Sequence, residues 1–154
     1  MIASGDNQDH PATSITNAVF FDETIDYVKY REQSRIDRTA SDDQAKAALN
    51  SAIVDINHQL IEWIEAKKNE GYNLIDNVPS PMHLPEKYFI DRYRRAVYCM
   101  ADALLAENYR DFDSTAEGHQ RADSMTDRID DYRRESIYAV ADILGTHRRR
   151  IELL

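Results

Sequence analysis

Apolar residues recur at every third or fourth position over much of the chain, which is the spacing of an amphipathic α-helix. The clearest stretch follows Ser41 and Gln44, whose spacing is that of a capping box and predicts a helix start. The apolar stripe of this stretch comprises Ala45, Ala48, Leu49, Ala52, Ile53, Ile56, Leu60, Trp63 and Ile64. Because the stripe is unbroken and Gly71 is a suitable cap, we predict one continuous helix that ends near Gly71.

Two longer helices are predicted in the second half of the chain, over residues 85–109 and 114–144. Ser114 opens a second capping-box pattern, and Gly145 predicts the end of the last helix. Residues 110–114 are therefore predicted to form an elbow that joins two antiparallel helices.

These patterns predict an all-α fold, an antiparallel helical bundle of about four helices in which a short helix over residues 22–34 comes first. Residues 22–145 are predicted to form the bundle domain. Residues 1–21 are polar and predict an extended N-terminal arm, and residues 146–154 predict an extended C-terminal tail. The core is predicted to contain Leu49, Ile53, Ile56, Leu60, Met100, Leu104, Ile129 and Ile137.

The composition narrows the classes of function. The net charge is −9 and the pI is near 5.0, which disfavours nucleic-acid binding through phosphate neutralisation. The single cysteine, Cys99, excludes an intramolecular disulfide and fits a reducing cytosol. No apolar run has the length of a membrane span, and the first residues have neither the basic nor the apolar region of a signal peptide.

Few residues have the spacing of a catalytic or metal-binding site. Asp55, His58 and Glu62 loosely resemble half of a carboxylate-bridged metal site, but no matching motif lies elsewhere, and all three fall off the apolar stripe. We therefore predict that they are solvated, as we do for the pair His119 and Asp123. Cys99 is predicted to be a small buried hydrophobe. No catalytic residue, metal ligand or cofactor site is predicted.

Charges of alternating sign mark two segments, "DRYRRAVY" and "DRIDDYRRES". One interpretation is a solvated, ion-paired helix face. The other is an interface between subunits, in which the arginines of one copy meet the aspartates of the next. The candidate residues for that interface are Arg92, Arg94, Arg95, Asp127, Asp130, Asp131, Arg133 and Arg134.

The last segment, "THRRRIELL", is basic and ends in apolar residues, whereas the rest of the chain is acidic. Arginines make bidentate contacts with carboxylates, so the segment is predicted to bind an acidic surface of a partner. The candidate contact residues are Arg148, Arg149, Arg150, Ile151, Leu153 and Leu154. A frayed terminus is the alternative.

Residues 92–136 also contain a combined motif: "YRRAVYC", then "YRDFDSTAEG", then "IDDYRRES". Together with "ALNSAIVDINHQLIEW" and "GYNLIDNVPSPM", it resembles the head completion proteins of temperate, contractile-tailed enterobacterial phages. The resemblance covers about residue 42 to the C-terminus.

The resemblance implies a non-enzymatic virion protein of the head–tail junction, present in the host cytoplasm during assembly. It implies that identical subunits, twelve in related adaptors, form a ring on the portal protein after DNA packaging. A neck or tail-completion protein then joins the ring, and double-stranded DNA passes through without specific binding. The tail is the segment that we predict to contact the portal.

Two other classes of function stay open. One is a small metal-dependent helical enzyme, which the Asp55, His58 and Glu62 trio would have to support. The other is an acidic DNA mimic or regulatory module that occupies a basic groove of another protein.

Overall fold

The computed structural model describes residues 15–34, 40–112 and 116–146, with the side chains in these ranges except for residues 110–112 and 116–125. The described part contains five α-helices and no strand, which confirms the all-α prediction. The helices are α1 (Tyr27–Gln33), α2 (Asp42–Gln59), α3 (Ile61–Asn69), α4 (Tyr88–Phe112) and α5 (Ala116–Leu144). Two short 3₁₀ helices, Val19–Phe21 and Ile75–Asn77, lie between them.

The two longest helices, α4 and α5, pack along each other as an antiparallel pair. Arg92 forms an ion pair with Asp142 at 3.4 Å, whereas the Ser136 hydroxyl, further back along α5, donates to the carbonyl of Ala96 at 2.8 Å. Residue numbers thus rise along α4 as they fall along α5. α2 packs against another face of α4, which places α4 at the centre of the described fold.

The predicted second helix is two helices, which meet at Leu60. The N–H of Leu60 is shared between the carbonyls of Ile56 and Asn57, at 3.1 and 3.2 Å, and such sharing tightens the final turn of a helix. The Leu60 side chain stays fully buried, and Trp63 beyond the junction still packs against the core. The prediction of a continuous helix was wrong because the apolar stripe runs through the junction without a Gly or Pro to mark it.

Residues 15–26, which we call the N-terminal strap, lie against the helices. Phe20 and Phe21 were assigned to the extended arm, but both are fully buried in the core of their own chain. The Phe21 ring stacks on Tyr93 with a centroid separation of 3.9 Å, and the Phe20 ring meets Trp63 edge-on at 5.9 Å. Two large aromatic rings bury enough apolar surface to hold an otherwise polar segment in place. Residues 1–14 of the predicted arm lie outside the described residues.

A polar contact fixes the strap to the two helices beneath it. The hydroxyl of Tyr93 on α4 donates to Asn57 of α2 at 2.7 Å and accepts from the Asn17 side chain at 3.0 Å. Asn57 in turn donates to Asn17 at 2.9 Å, which closes a three-residue ring of hydrogen bonds. Tyr93 is fully buried, and this burial raises the pKa of its hydroxyl. A buried hydroxyl that keeps both bonds satisfied joins strap, α2 and α4 at one point.

Most of the predicted core is confirmed. Leu49, Ile53, Ile56, Leu60, Met100 and Ile129 are buried. Leu104 is only partly buried against the core, and Ile137 is 39% exposed, so the prediction was wrong for Ile137. The reason is that the neighbouring Ser136 occupies the buried position on α5, where a small residue lets α4 come close.

The predicted caps are confirmed where the structure describes them, but two helices have other bounds than predicted. α1 begins at Tyr27 instead of near residue 22, and α4 spans Tyr88–Phe112 instead of 85–109. Residues 110–112 of the predicted elbow are therefore helical, because no Gly or Pro directly follows Tyr109 to end the helix. Ser41 and Gln44 form both bonds of a capping box at the start of α2. Gly71 and Gly145 adopt φ values of 104° and 72°, as the left-handed cap of a helix requires. α4 extends to Phe112, and residues 113–115, with the predicted cap Ser114, lie outside the described residues.

A matched pair of isoleucines tests the core. Ile56 in α2 is fully buried, whereas Ile61, five residues later at the start of α3, is 51% exposed. Ile56→Ala should lower the free energy of unfolding by about 2–5 kcal/mol because it removes buried methyl groups and leaves a cavity. Ile61→Ala should change it by less than about 0.5 kcal/mol. Urea unfolding followed by far-ultraviolet circular dichroism measures both, and equal losses would contradict the assignment.

The buried tyrosine makes stability depend on alkaline pH. The unfolded chain loses the Tyr93 proton near pH 10, whereas folded Tyr93 keeps it because burial raises its pKa. Stability is therefore complete below pH 10 and falls as the pH rises above 10. Tyr93→Phe should reduce the slope of unfolding free energy against pH above 10 by up to about 1.4 kcal/mol per pH unit.

Tyr88→Phe is the control for this experiment, because the Tyr88 side chain is only partly buried. Urea unfolding at several pH values between 8 and 11 gives both slopes. If Tyr93→Phe leaves the slope at the wild-type value, Tyr93 is not protected from ionisation in the folded state.

Candidate functional site

A groove of about 730 Å³ lies between α1 and the α4–α5 pair, and we call it the charged groove. Its cationic side chains are Lys29, Arg92, Arg94, Arg95 and Arg134. Its anionic side chains are Asp91, Asp102, Asp131 and Glu135. Five cations and four anions leave one net positive charge in the groove, whereas the whole chain has a net charge of −9.

The floor of the charged groove is a buried carboxylate. Asp102 on α4 is 7% exposed and accepts hydrogen bonds from the Tyr30 hydroxyl at 2.9 Å and the Ser34 hydroxyl at 2.7 Å. Burial, with the nearby Asp102 charge, raises the pKa of Tyr30. Because Tyr30 lies in α1 and Ser34 caps its end, these bonds hold α1 against α4. They form one wall of the groove.

The strap and α1 have further contacts beside the groove. The Arg94 Nε donates to the carbonyl of Thr24 at 2.7 Å, and Asp26 caps α1 by accepting from the Lys29 N–H at 3.1 Å. Tyr27 donates to Asp42 at the start of α2, and partial burial with this bond raises the pKa of Tyr27 to about 12. The side of the groove formed by α1 is therefore tied to both α2 and α4.

The residues predicted to form a subunit interface lie on and around this groove. Two of their ion pairs join α4 to α5 within one chain, namely Arg95 with Glu135 and Arg133 with Glu107. Arg134 pairs with Asp131 along α5 at 3.2 Å. The ion-paired helix face, one of the two interpretations of this pattern, is thus present within a single chain. An interface between copies stays a prediction.

The remaining members of that predicted set fall into two groups. Arg92 pairs with Asp142 and lies over the Tyr88 ring at 5.4 Å, and Arg94 lies 4.0 Å from Asp91. Asp127 and Asp130 on α5 are exposed.

The other candidate residues do not form a reactive site in the described structure. Asp55, His58 and Glu62 are exposed on α2 and α3, and among the described residues no cluster of His, Cys, Asp or Glu has the arrangement of a metal site. Cys99 is partly buried in the groove wall, not fully buried as predicted. The side chains of His119 and Asp123 lie outside the described residues.

The predicted portal-contact residues of the tail, Arg148, Arg149, Arg150, Ile151, Leu153 and Leu154, also lie outside the described residues. In the part of the chain that is described, no helix is both long enough and apolar enough to cross a membrane.

The residues that form the groove floor and the strap contact were not predicted from the sequence. Asp102 sits between two alanines inside the apolar stripe of α4, and a charged residue at a core position was the available signal. Asn17 gave no comparable signal, because its partners Asn57 and Tyr93 are distant in sequence.

The family model and the relatives that match this chain are all described as phage head completion proteins. The family model described as phage head completion protein (GPL) matches residues 15–154. A head completion/stabilization protein of Escherichia phage P2 is 35% identical over 134 residues, which cover 87% of this chain and 79% of the relative. A probable head completion/stabilization protein of Haemophilus phage HP1 (strain HP1c1) is 28% identical over 151 residues, 98% and 99% of the two chains.

No solved structure matches the chain. The family match begins at residue 15, so it includes the N-terminal strap that the sequence resemblance had left out. It also includes the helices that form the charged groove. Since it spans nearly the whole chain, the resemblance seen in the sequence is confirmed, and the chain belongs to the phage head completion protein (GPL) family.

Proposed function

We propose that the chain is a non-enzymatic structural protein that completes and stabilises a phage head. The observation that carries this proposal is the family match over residues 15–154. The names of the relatives in phages P2 and HP1 describe head completion and stabilization rather than a reaction.

The proposed place of action is the head–tail junction. After DNA packaging, identical copies bind the portal vertex as a ring of twelve and offer an attachment surface to a neck or tail-completion protein. Ring formation is supported by the stiffness of the subunit, because α4 and α5 are 25 and 29 residues long and bonded side by side. A rigid wedge repeated head to tail closes into a ring when the rotation between copies divides a full turn.

The net charge of the chain supports a function in which DNA passes the protein without being bound. A net charge of −9 repels a phosphate backbone, and a channel that DNA must traverse benefits from weak contact.

The tail is the proposed contact with the portal. Gly145 ends α5, and the N–H of Thr146 donates to the Ala141 carbonyl at 3.0 Å, which completes the helix cap. The helix cap is thus complete at residue 146, and we assign the contact with carboxylates of a partner to Arg148, Arg149 and Arg150, which follow it in the sequence.

Removal of residues 147–154 tests this contact. The cap at Thr146 is retained, so the far-ultraviolet helical signal and the thermal midpoint should stay near wild-type values. Co-sedimentation with DNA-filled heads that lack this protein should be lost. Substitution of the three arginines by lysine is the matched control, since it keeps the charge but removes bidentate bonding. A truncated protein that joins heads at wild-type occupancy would show that the anchor lies elsewhere.

Duplex DNA provides a second test. The isolated protein should give no gel shift of a duplex at physiological salt, because few phosphate charges can be neutralised by so acidic a chain. A shift at micromolar protein that weakens with added salt would contradict the proposed passive channel.

A further inference from the structure

A second surface of the subunit complements the charged groove. Asp55, Glu62 and Glu65 are exposed on α2 and α3, and we call them the acidic lane. Glu62 and Glu65, three residues apart, lie on one face of α3, and Asp55 lies near the end of α2, before the junction at Leu60. Among the described residues, no ion pair is formed by these three carboxylates, so their charge is available to another molecule.

The acidic lane also carries exposed apolar surface. Val54, next to Asp55 near the end of α2, is 58% exposed, and Ile61 at the start of α3 is 51% exposed. Ile61 precedes Glu65 by four residues, so the two side chains are neighbours on α3. The acidic lane thus combines carboxylates with β-branched side chains. A complementary binding surface would contain cations to pair with the carboxylates and aromatic rings to pack against the apolar side chains. In the charged groove, the partly buried Tyr132 lies among the arginines, whereas Tyr98 is only 7% exposed and belongs to the core.

The groove and the lane lie on different sides of one subunit. α4 packs against α2 through one face and against α5 through another. The charged groove lies between α1, α4 and α5 and has no residue of α2 or α3 in its lining, whereas the acidic lane consists of exposed residues of α2 and α3. Two complementary surfaces at different sides of a subunit make head-to-tail contacts, which is the type of interface that closes a ring.

Two cations of the charged groove, Arg134 and Lys29, can form ion pairs with carboxylates of another molecule. Arg134 is 56% exposed, and its carboxylate partner Asp131, three residues earlier, is 68% exposed. Exposed pairs of this kind contribute little to stability, so a carboxylate from another molecule competes with Asp131. Lys29, also in the groove, has no ion pair with any described residue, and its ammonium group adds a cation that is not neutralised.

We infer that the charged groove of one copy receives the acidic lane of a second copy. This inference rests on the proposed ring and names the two faces that meet in it. Lys29 and Arg134 bind Glu62 and Glu65 of the neighbour, and Val54 and Ile61 of the neighbour pack on Tyr132. The contact is small and charged, so it forms mainly where the portal holds the copies close together.

Cross-linking through the native cysteine tests the contact directly. Cys99 lies in the groove wall, and Glu65→Cys places a second thiol in the lane. Treatment of head-bound Glu65→Cys protein with a short bis-maleimide should give a ladder of dimers, trimers and larger species on a denaturing gel. The matched control, Glu86→Cys, introduces a thiol in the exposed proline-rich loop and should give no ladder.

Charge exchange tests the same contact without a cross-linker. Arg134→Glu and Glu62→Arg should each reduce the number of copies bound per head by about fivefold or more, because each places like charges together. The double variant restores opposite charges and should bind within about twofold of wild type. Arg128→Glu changes an exposed arginine of α5 outside the groove and should bind as wild type does.

The outcomes separate this inference from the proposed function. Wild-type protein that binds heads without a Glu65→Cys ladder, or a double variant without recovery, overturns the groove–lane contact and leaves head binding intact. Wild-type protein that does not bind heads overturns the proposed function. In that case, free Glu65→Cys protein is cross-linked at a concentration high enough to match the local concentration of copies held on a portal. The absence of a ladder there overturns the inference as well.

Discussion

The close approach of α4 and α5 is the constraint on which the rest of the structure depends. The Ser136 hydroxyl reaches the backbone carbonyl of Ala96 on the other helix, which requires the two axes to be near one another. Ser136 and Ala139 are both buried on α5, and neither has a side chain that would separate the helices. With α5 held here, α2 packs against another face of α4, and α1 is attached to α4 through Asp102.

The hydrogen bonds around α4 show how the smaller elements depend on that pair. Asp102 holds α1 through Tyr30 and Ser34, and Tyr93 holds the N-terminal strap through Asn17. Neither α1 nor the strap is long enough to be stable alone, because a helix of seven residues has few internal bonds. α4 therefore provides the packing surface and also the polar groups to which these segments are attached.

Much of this fold was predictable from the sequence, because helix periodicity and capping chemistry are local signals. The Ser41 capping box, the Gly145 stop and the buried stripe of α2 all follow from residues a few positions apart. The break at Leu60 and the burial of Ser136 were not predictable, since both depend on which helix lies opposite. The charged segments were recognised, but pairs such as Arg133 with Glu107 are 26 residues apart, and only the fold shows that they meet. The charged groove likewise depends on α1 folding back over α4, for which no single segment carries a signal.

The helix cap at Gly145 has a mechanical consequence. α5 has 29 residues, which corresponds to a rod about 43 Å long, and the chain leaves it at a fixed point. A pull on the chain beyond Thr146 along the rod is carried in shear by the whole α4–α5 contact. The ion pairs and the Ser136 bond then share the load at the same time instead of opening one after another. The α4–α5 pair therefore resists tension applied along α5.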